Sequence, residues 1–436
     1  MARTLLGELA MNLAARLAGW VGLGALAACA GRPAAAPSTP PVVATATRTQ
    51  GAPMNPPDPF AARAARLRVI AEERDTDALV IVKDGEVVLR WQREGAAPRV
   101  ETMSVTKSIA GLVIGALVDR GAIGLDDPLA RYFPAWVADP RGAITVRHVL
   151  AHASGLADEP TTEKIYARGD FVAYALEAPL AHPPGTRAFY SNRASNLLAG
   201  GVRAATGRQL ADVASEVLFA RLGITDVVWR PDRAGNTQVM AGLELRAEDL
   251  AKLGQLVLDD GVWRGERILS HAWIEASTRT FAAPLVPTRG LLFWLEPAKV
   301  EVGFDRELFD EWARTGMPAD VVERFRPLEG RFYERRAFFE AVGRAMSGGP
   351  VEGDLERALE PWYAVTWKAG RRDGSMRASG VASIRADGWL GQYLLVYPAE
   401  RVVVARLRHA KPGATGKDPG SFGDLEKVVR RELFAR

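Results

Sequence analysis

The chain predicts an α+β fold in which both chain ends build one antiparallel sheet, flanked by helices, with a mostly helical subdomain inserted between them. Three observations predict it. Near the start, the apolar runs Ala78-Leu79-Val80-Ile81-Val82 and Val87-Val88-Leu89 flank Asp84-Gly85, a hairpin signature. Near the end, 391–398 and 402–405 are apolar runs separated by a turn, which reads as a second antiparallel pair. Between them, 104–280 is dominated by helical periodicity. Strands at both ends with helices between them make a single α+β unit.

Residues 17–28 read LAGWVGLGALAA, an apolar stretch preceded by Arg3 and Arg16. That order of charge then apolar run is the order of a secretory signal, and the run is short for a membrane span. It ends in Leu26-Ala27-Ala28-Cys29, and Cys29 is the only cysteine in the chain. The tetrad resembles the lipobox of bacterial lipoproteins. The resemblance implies that 1–29 is a lipoprotein signal peptide and that Cys29 carries the lipid. Ala30 follows, not the aspartate linked to inner-membrane retention, so the expected location is the periplasmic face of an outer membrane. Glu8 suits a signal poorly, and a start at Met11 would remove it. Residues 30–58 are rich in Pro, Ala and Thr and read as an extended tether. The folded domain proper is expected over 59–436.

A helix is expected at about 60–74. The next strong pattern opens at Ser104-Val105-Thr106-Lys107. Ile109, Leu112, Val113, Ala116 and Leu117 follow at helical spacing and give one buried face, with Gly121 as a stop. Ser104 thus heads a core helix and Lys107 sits one turn on, on the same side. A serine hydroxyl becomes a nucleophile when a base takes its proton. A lysine can be that base when burial or positive surroundings lower its pKa. A helix N-terminus also favours an oxyanion. Further on, Tyr190 and Asn192 lie where a loop meets the helical run 194–200. The phenol suits a proton shuttle, and Asn192 suits holding the lysine or a substrate carbonyl.

Strand patterns recur at 290–295 and 381–408. Between them, 296–379 mixes many aromatics with charges, with helical spacing at 335–346. It reads either as a packed subdomain or as a lid over a cleft.

Composition narrows the function. The net charge is +4 over 436 residues, with no basic block interleaved with aromatics, so no nucleic-acid partner is expected. One cysteine and five histidines without HExxH spacing give no metal site, and no cofactor is expected. No GxSxG occurs, which disfavours a Ser-His-Asp hydrolase.

Ser104-x-x-Lys107 and Tyr190-x-Asn192 together resemble the serine β-lactamase and penicillin-binding-protein superfamily. The similarity is to the branch with class C β-lactamases, DD-peptidases, related esterases and 6-aminohexanoate-dimer hydrolases. Ile123-Gly124-Leu125-Asp126-Asp127-Pro128, the stretch 144–156 with His148 and His152, and Ala241-Gly242-Leu243 extend it. The resemblance implies a β-lactamase/transpeptidase-like fold. It also implies Ser104 as nucleophile, Lys107 as acylation base, Tyr190 as proton shuttle and deacylation base, and a structural role for the paired histidines. The family's third motif is matched by Ala386-Asp387-Gly388, with Trp389 next, and its resemblance places substrate binding at Asn192, Asp387, Gly388 and Trp389. The amides of Ser104 and Trp389 would form the oxyanion hole. The motif's leading cation is replaced by Ala386, which argues against efficient β-lactam turnover. Arg385, Arg377 and the Arg371–Arg372 pair are the cations available to replace it. The expected activity is hydrolysis of a carboxylic ester or small amide through acyl-Ser104. The alternatives are a β-lactamase, a D-alanyl-D-alanine carboxypeptidase, or a penicillin-binding sensor that acylates without turnover.

Overall fold

In the computed structural model, α1 (Pro59–Glu73) leads into β1 (Ala78–Lys83), which turns through Asp84 (φ 53°) and Gly85 (φ 85°) into β2 (Glu86–Gln92). Two consecutive left-handed residues are what a tight two-residue hairpin demands, and Asp-Gly adopts them at low cost. The structure describes residues 59–159, 161–279, 288–350, 355–369, 371–411 and 418–435. Cys29 and the segments expected to be a leader (1–29) and a tether (30–58) therefore lie outside the described residues.

The main sheet also takes in β3 (Trp294–Gly303), β4 (Phe332–Tyr333), β5 (Ser375–Gly388), β6 (Gln392–Tyr397) and β7 (Val402–Leu407). The strand order is β2-β1-β7-β6-β5-β3-β4, and every pairing is antiparallel. The first and last segments of the domain meet directly, with Ala78 opposite Leu407 and Lys83 opposite Val402. Both faces of the sheet are covered. Leu79, Ile81, Leu395, Tyr397, Val402 and Val404 pack on α1 and the C-terminal helix. Val80, Val82, Leu394, Val396, Val403 and Ala405 face the helical layer. Each such side chain removed from water contributes about 1.5–3 kcal/mol, so the two faces together stabilise the closure of the chain ends.

The Ser104 helix is α2 (Val105–Asp119). The periodicity predicted one buried face, but every residue from Val105 to Leu117 is buried. Its mostly apolar or small residues allow this, because a helix apolar all round belongs inside a protein. Two further differences concern strands. The strand expected at 290–295 begins at Trp294, because 289–293 is a tight reversal with Leu292 at φ 63°. A small three-stranded sheet, Val100–Glu101, Leu243–Leu245 and Val228–Trp229, appears inside the region read as helical.

Both ends of 296–379 belong to long strands of the main sheet, β3 and β5. The chain between them folds into helices around its own aromatic core, with Phe304, Trp312, Phe325, Phe338 and Trp362 buried together. Phe325 stacks on Trp362 at 4.4 Å and 22°.

Candidate active site

The strand Val100–Glu101 pairs with Leu243–Leu245, and Thr102 continues the contact by donating its amide to the Leu243 carbonyl at 2.8 Å. At Met103 the backbone turns sharply through φ 50°. A non-glycine residue in this region stores strain, and such strain concentrates at functional sites. Ser104 then enters the helix at φ −69°, and its side chain caps nothing. Its Oγ lies 3.0 Å from Lys107 Nζ and accepts a 2.8 Å hydrogen bond from Tyr190 OH.

Lys107 is held from the other side as well. Its Nζ donates to the Met240 carbonyl at 2.6 Å. Asn196 Oδ1 in turn accepts from the amides of Val239 and Met240 at 3.0 and 3.3 Å. The Ala241-Gly242-Leu243 stretch flagged in the sequence thus belongs to a clamp that steadies both the serine's strand and the lysine. Burial pushes the Lys107 amine down to about 7, against the opposing pull of the Asp158 and Asp387 carboxylates. Taking an ammonium out of water penalises the charged form.

Tyr190 is framed by the stretch that carries the two histidines. His148 completes a capping box with Thr145 at the start of the helix Val146–Leu150. His152, beyond that helix at φ 55°, sets its ring 4.6 Å from the Tyr190 ring. The His152 carbonyl accepts from Phe189 N at 2.7 Å, and its Nδ1 accepts from Ser191 N at 3.3 Å. Burial, with the nearby Arg289 and Lys107 charges, lowers its pKa well below the usual value, which keeps the ring neutral. Ser191 donates to Asp158 at 2.8 Å and caps the next helix through Ala194 N. On its other side Tyr190 stacks on Trp294 at 6.3 Å and 15°. Burial raises the phenol's pKa, with the hydrogen bond to Ser104 partly opposing it. Near neutral pH Tyr190 is therefore a proton donor to Oγ, while Lys107 is the group able to accept a proton.

The cleft at Ser104 is lined by Ser104, Lys107, Tyr190 and Asp387, together with Ser108, His152 and the 289–294 hairpin. Asn192, Gly388 and Trp389 do not line it. Asn192 starts a helix, and its carbonyl accepts from Ser195 and Asn196. The Met240 carbonyl holds the lysine, a contact the sequence reading did not name beside Asn192. Gly388 sits behind the nucleophile: a Cβ there would lie 2.5 Å from the Thr102 carbonyl oxygen, so a side chain would force strand and nucleophile turn apart. Trp389 follows it with an exposed ring.

The cations proposed to replace the missing motif charge are committed elsewhere. Arg385 pairs with Glu426 at 2.9 Å and approaches Asp387 at 3.7 Å. Arg377 lies 3.5 Å over the Phe332 ring. Arg371 donates to the carbonyls of Thr315, Val365 and Gly316, and Arg372 pairs with Glu311. Ala386 itself is 1% exposed and part of the core. The guanidinium in the cleft is that of Arg289, which the sequence reading missed; it stands in an apolar stretch, TRGLLFW, that carries no local signature.

The Beta-lactamase family profile matches residues 61–421. The chain belongs to the beta-lactamase family. The 6-aminohexanoate-dimer hydrolase of Paenarthrobacter ureafaciens is 30% identical over 259 residues, 54% of this chain and 66% of that protein. Esterase EstB of Burkholderia gladioli is 30% identical over 202 residues, 38% of this chain and 51% of that protein. The matched stretches fall short of two thirds of either relative's length. A penicillin-binding protein homolog from Caulobacter crescentus superimposes with a TM-score of 0.52 at 18% identity, covering 86% of this chain and 98% of that one, a likeness of fold. Among the described residues of this family member, no helix is long and apolar enough to cross a membrane.

Proposed function

We propose that this chain is a serine hydrolase that cleaves a carboxylic ester or a small amide through an acyl-Ser104 intermediate. One observation carries the reading: a single serine oxygen lies within 3.0 Å of a lysine whose amine titrates at about 7 and within 2.8 Å of a neutral phenol. Neutral Lys107 takes the Ser104 proton as Oγ attacks the substrate carbonyl. The proton passes through Tyr190 to the leaving group, and the acyl-enzyme breaks down when water attacks with Tyr190 and Lys107 accepting its proton. The amides of Ser104 and Trp389 would face the developing oxyanion, a placement supported by the close approach of Gly388 to Thr102 and Met103. The exposed Trp389 ring offers an apolar surface for the substrate, and Asn192 lies beside Tyr190 in the chain. The motif position that would supply a counter-charge to a β-lactam is the buried Ala386, so that particular contact is missing here.

The test is the time course of nitrophenol release from p-nitrophenyl acetate. A burst followed by steady release supports hydrolysis. A single burst with no further turnover indicates a trap, and no release from folded protein removes the enzyme reading. Nitrocefin and a D-Ala-D-Ala peptide, run in parallel, report the β-lactamase and carboxypeptidase alternatives.

The lipobox-like tetrad supports a lipid on Cys29, the 30–58 tether and residence in the outer membrane on its periplasmic face. Palmitate incorporation in cells is expected for the wild type and absent from Cys29→Ser; equal labelling of both would remove the anchor.

A further inference from the structure

We propose that Arg289 is the anchor for a substrate carboxylate and so sets which esters or amides this site accepts. The inference deepens the hydrolase reading and rests on it, since the substrate's carbonyl must lie at Ser104.

Arg289 is 4% exposed and lines the same cleft as Ser104. Its Nε and Nη1 atoms are buried without a hydrogen-bond partner, and among the described residues no carboxylate comes within ion-pair distance. A guanidinium lowered only to about 10 by burial remains charged at neutral pH, so this is a buried, unpaired cation. Burying such a group is costly unless something pairs with it, and a buried donor without a partner calls for an explanation. N–H groups of a guanidinium left without a partner can donate charge-assisted hydrogen bonds to a carboxylate.

The group is also held in place. Ser108 of α2 donates to the Leu292 carbonyl at 2.5 Å, Leu292 N donates to Leu150 O at 2.8 Å, and Gly290 N donates to Phe293 O at 3.0 Å. The guanidinium carbon lies 4.4 Å over the Trp294 ring, and Trp294 stacks on Tyr190. The anchor is therefore fixed relative to the proton shuttle, which is what selecting a substrate by distance between charge and carbonyl requires. The other fixed charge in the cleft, Asp387, is approached by Arg385 at 3.7 Å; it also acts on Arg289 through space, without coming within ion-pair distance of it. Lys107 adds little positive charge once deprotonated, and His152 is neutral.

The test compares wild type, Arg289→Gln and Arg289→Lys on two pairs of esters and on neutral p-nitrophenyl acetate. One pair is mono-p-nitrophenyl glutarate and its methyl ester, with the charge on the acyl side. The other is 4-acetoxybenzoate and its methyl ester, with the charge on the leaving group. The wild type is expected to favour the anion in one pair by about tenfold or more in kcat/KM, mainly through KM. Arg289→Gln should abolish that preference, with kcat/KM on the anion falling about tenfold further than on acetate, and Arg289→Lys should restore part of it. Absence of an anion preference in both pairs overturns the proposal while leaving the hydrolase reading intact. So does an equal loss on acetate and anions with a shifted pH profile, which would mean that Arg289 serves the Tyr190 proton instead. If the wild type cleaves none of the esters, the hydrolase reading fails separately. Calorimetric titration with 4-acetamidobenzoate then decides the anchor: binding lost in Arg289→Gln supports it, and no binding to the wild type overturns it.

Discussion

Ser104→Ala is expected to fold as the wild type does and to lose turnover by a factor on the order of 10^4 or more. It should also lose all labelling by a fluorophosphonate probe, with the wild-type label mapping to the peptide that contains Ser104. The folding half of the expectation follows from the geometry. The Ser104 side chain makes no capping bond to α2, so its removal takes nothing from the helix terminus. Lys107 keeps its 2.6 Å bond to Met240 and Tyr190 keeps its ring neighbours, although the phenol loses its acceptor. Melting temperatures of the two proteins should therefore lie close together. Persistent labelling of the alanine variant would move the nucleophile elsewhere.

Lys107→Met should cost about 10^3 in acylation rate, as loss of a positioned general base does. In the wild type the amine must be neutral to act. Since it titrates at about 7, kcat/KM should rise with pH through that value and fall roughly tenfold per pH unit below it. An acidic limb centred near 4 would point to a carboxylate base instead. The same substitution should stabilise the fold. Lowering a lysine from 10.5 to about 7 reflects roughly 5 kcal/mol of penalty on its charged form. The unfolded chain binds the extra proton between those two values, so wild-type stability contributed by this group declines as pH falls from 10.5 to 7 and is level below. Methionine is free of that penalty. Its advantage in melting temperature, about 6 °C where the full penalty applies, should widen as pH falls over the same window. Site residues that reduce stability in return for reactivity behave this way, and a methionine variant less stable at pH 6 than at pH 9 relative to wild type would contradict the burial argument.

What could be read from the chain, and what could not, follows from the range of the interactions. The Asp84-Gly85 turn is legible because two residues decide it. The paired runs ending at Tyr397 and starting at Val402 are legible because two short apolar runs separated by a turn suffice. The small sheet through Val100–Glu101 was not legible: two- and three-residue strands carry no period. The strand start at Trp294 was misplaced because an apolar run cannot show where a reversal at Leu292 falls. Asn192 was read as suited to hold the lysine or a substrate carbonyl because it shares a tripeptide with Tyr190; that a main-chain carbonyl also holds the lysine was not legible, since any residue type has one.

By itself the sequence determined the antiparallel sheet closed by both chain ends, the helix opening at Ser104, and the family to which the motifs belong. Each of these is written in local period, turn chemistry or short ordered motifs. Only the tertiary structure decided that Lys107 is buried enough to be a base, that Tyr190 reaches the serine across 86 residues, and that Arg289 supplies the cleft's unpaired cation. Ionisation and pairing depend on what surrounds a group in space, and those surroundings are assembled here from segments more than a hundred residues apart in the chain.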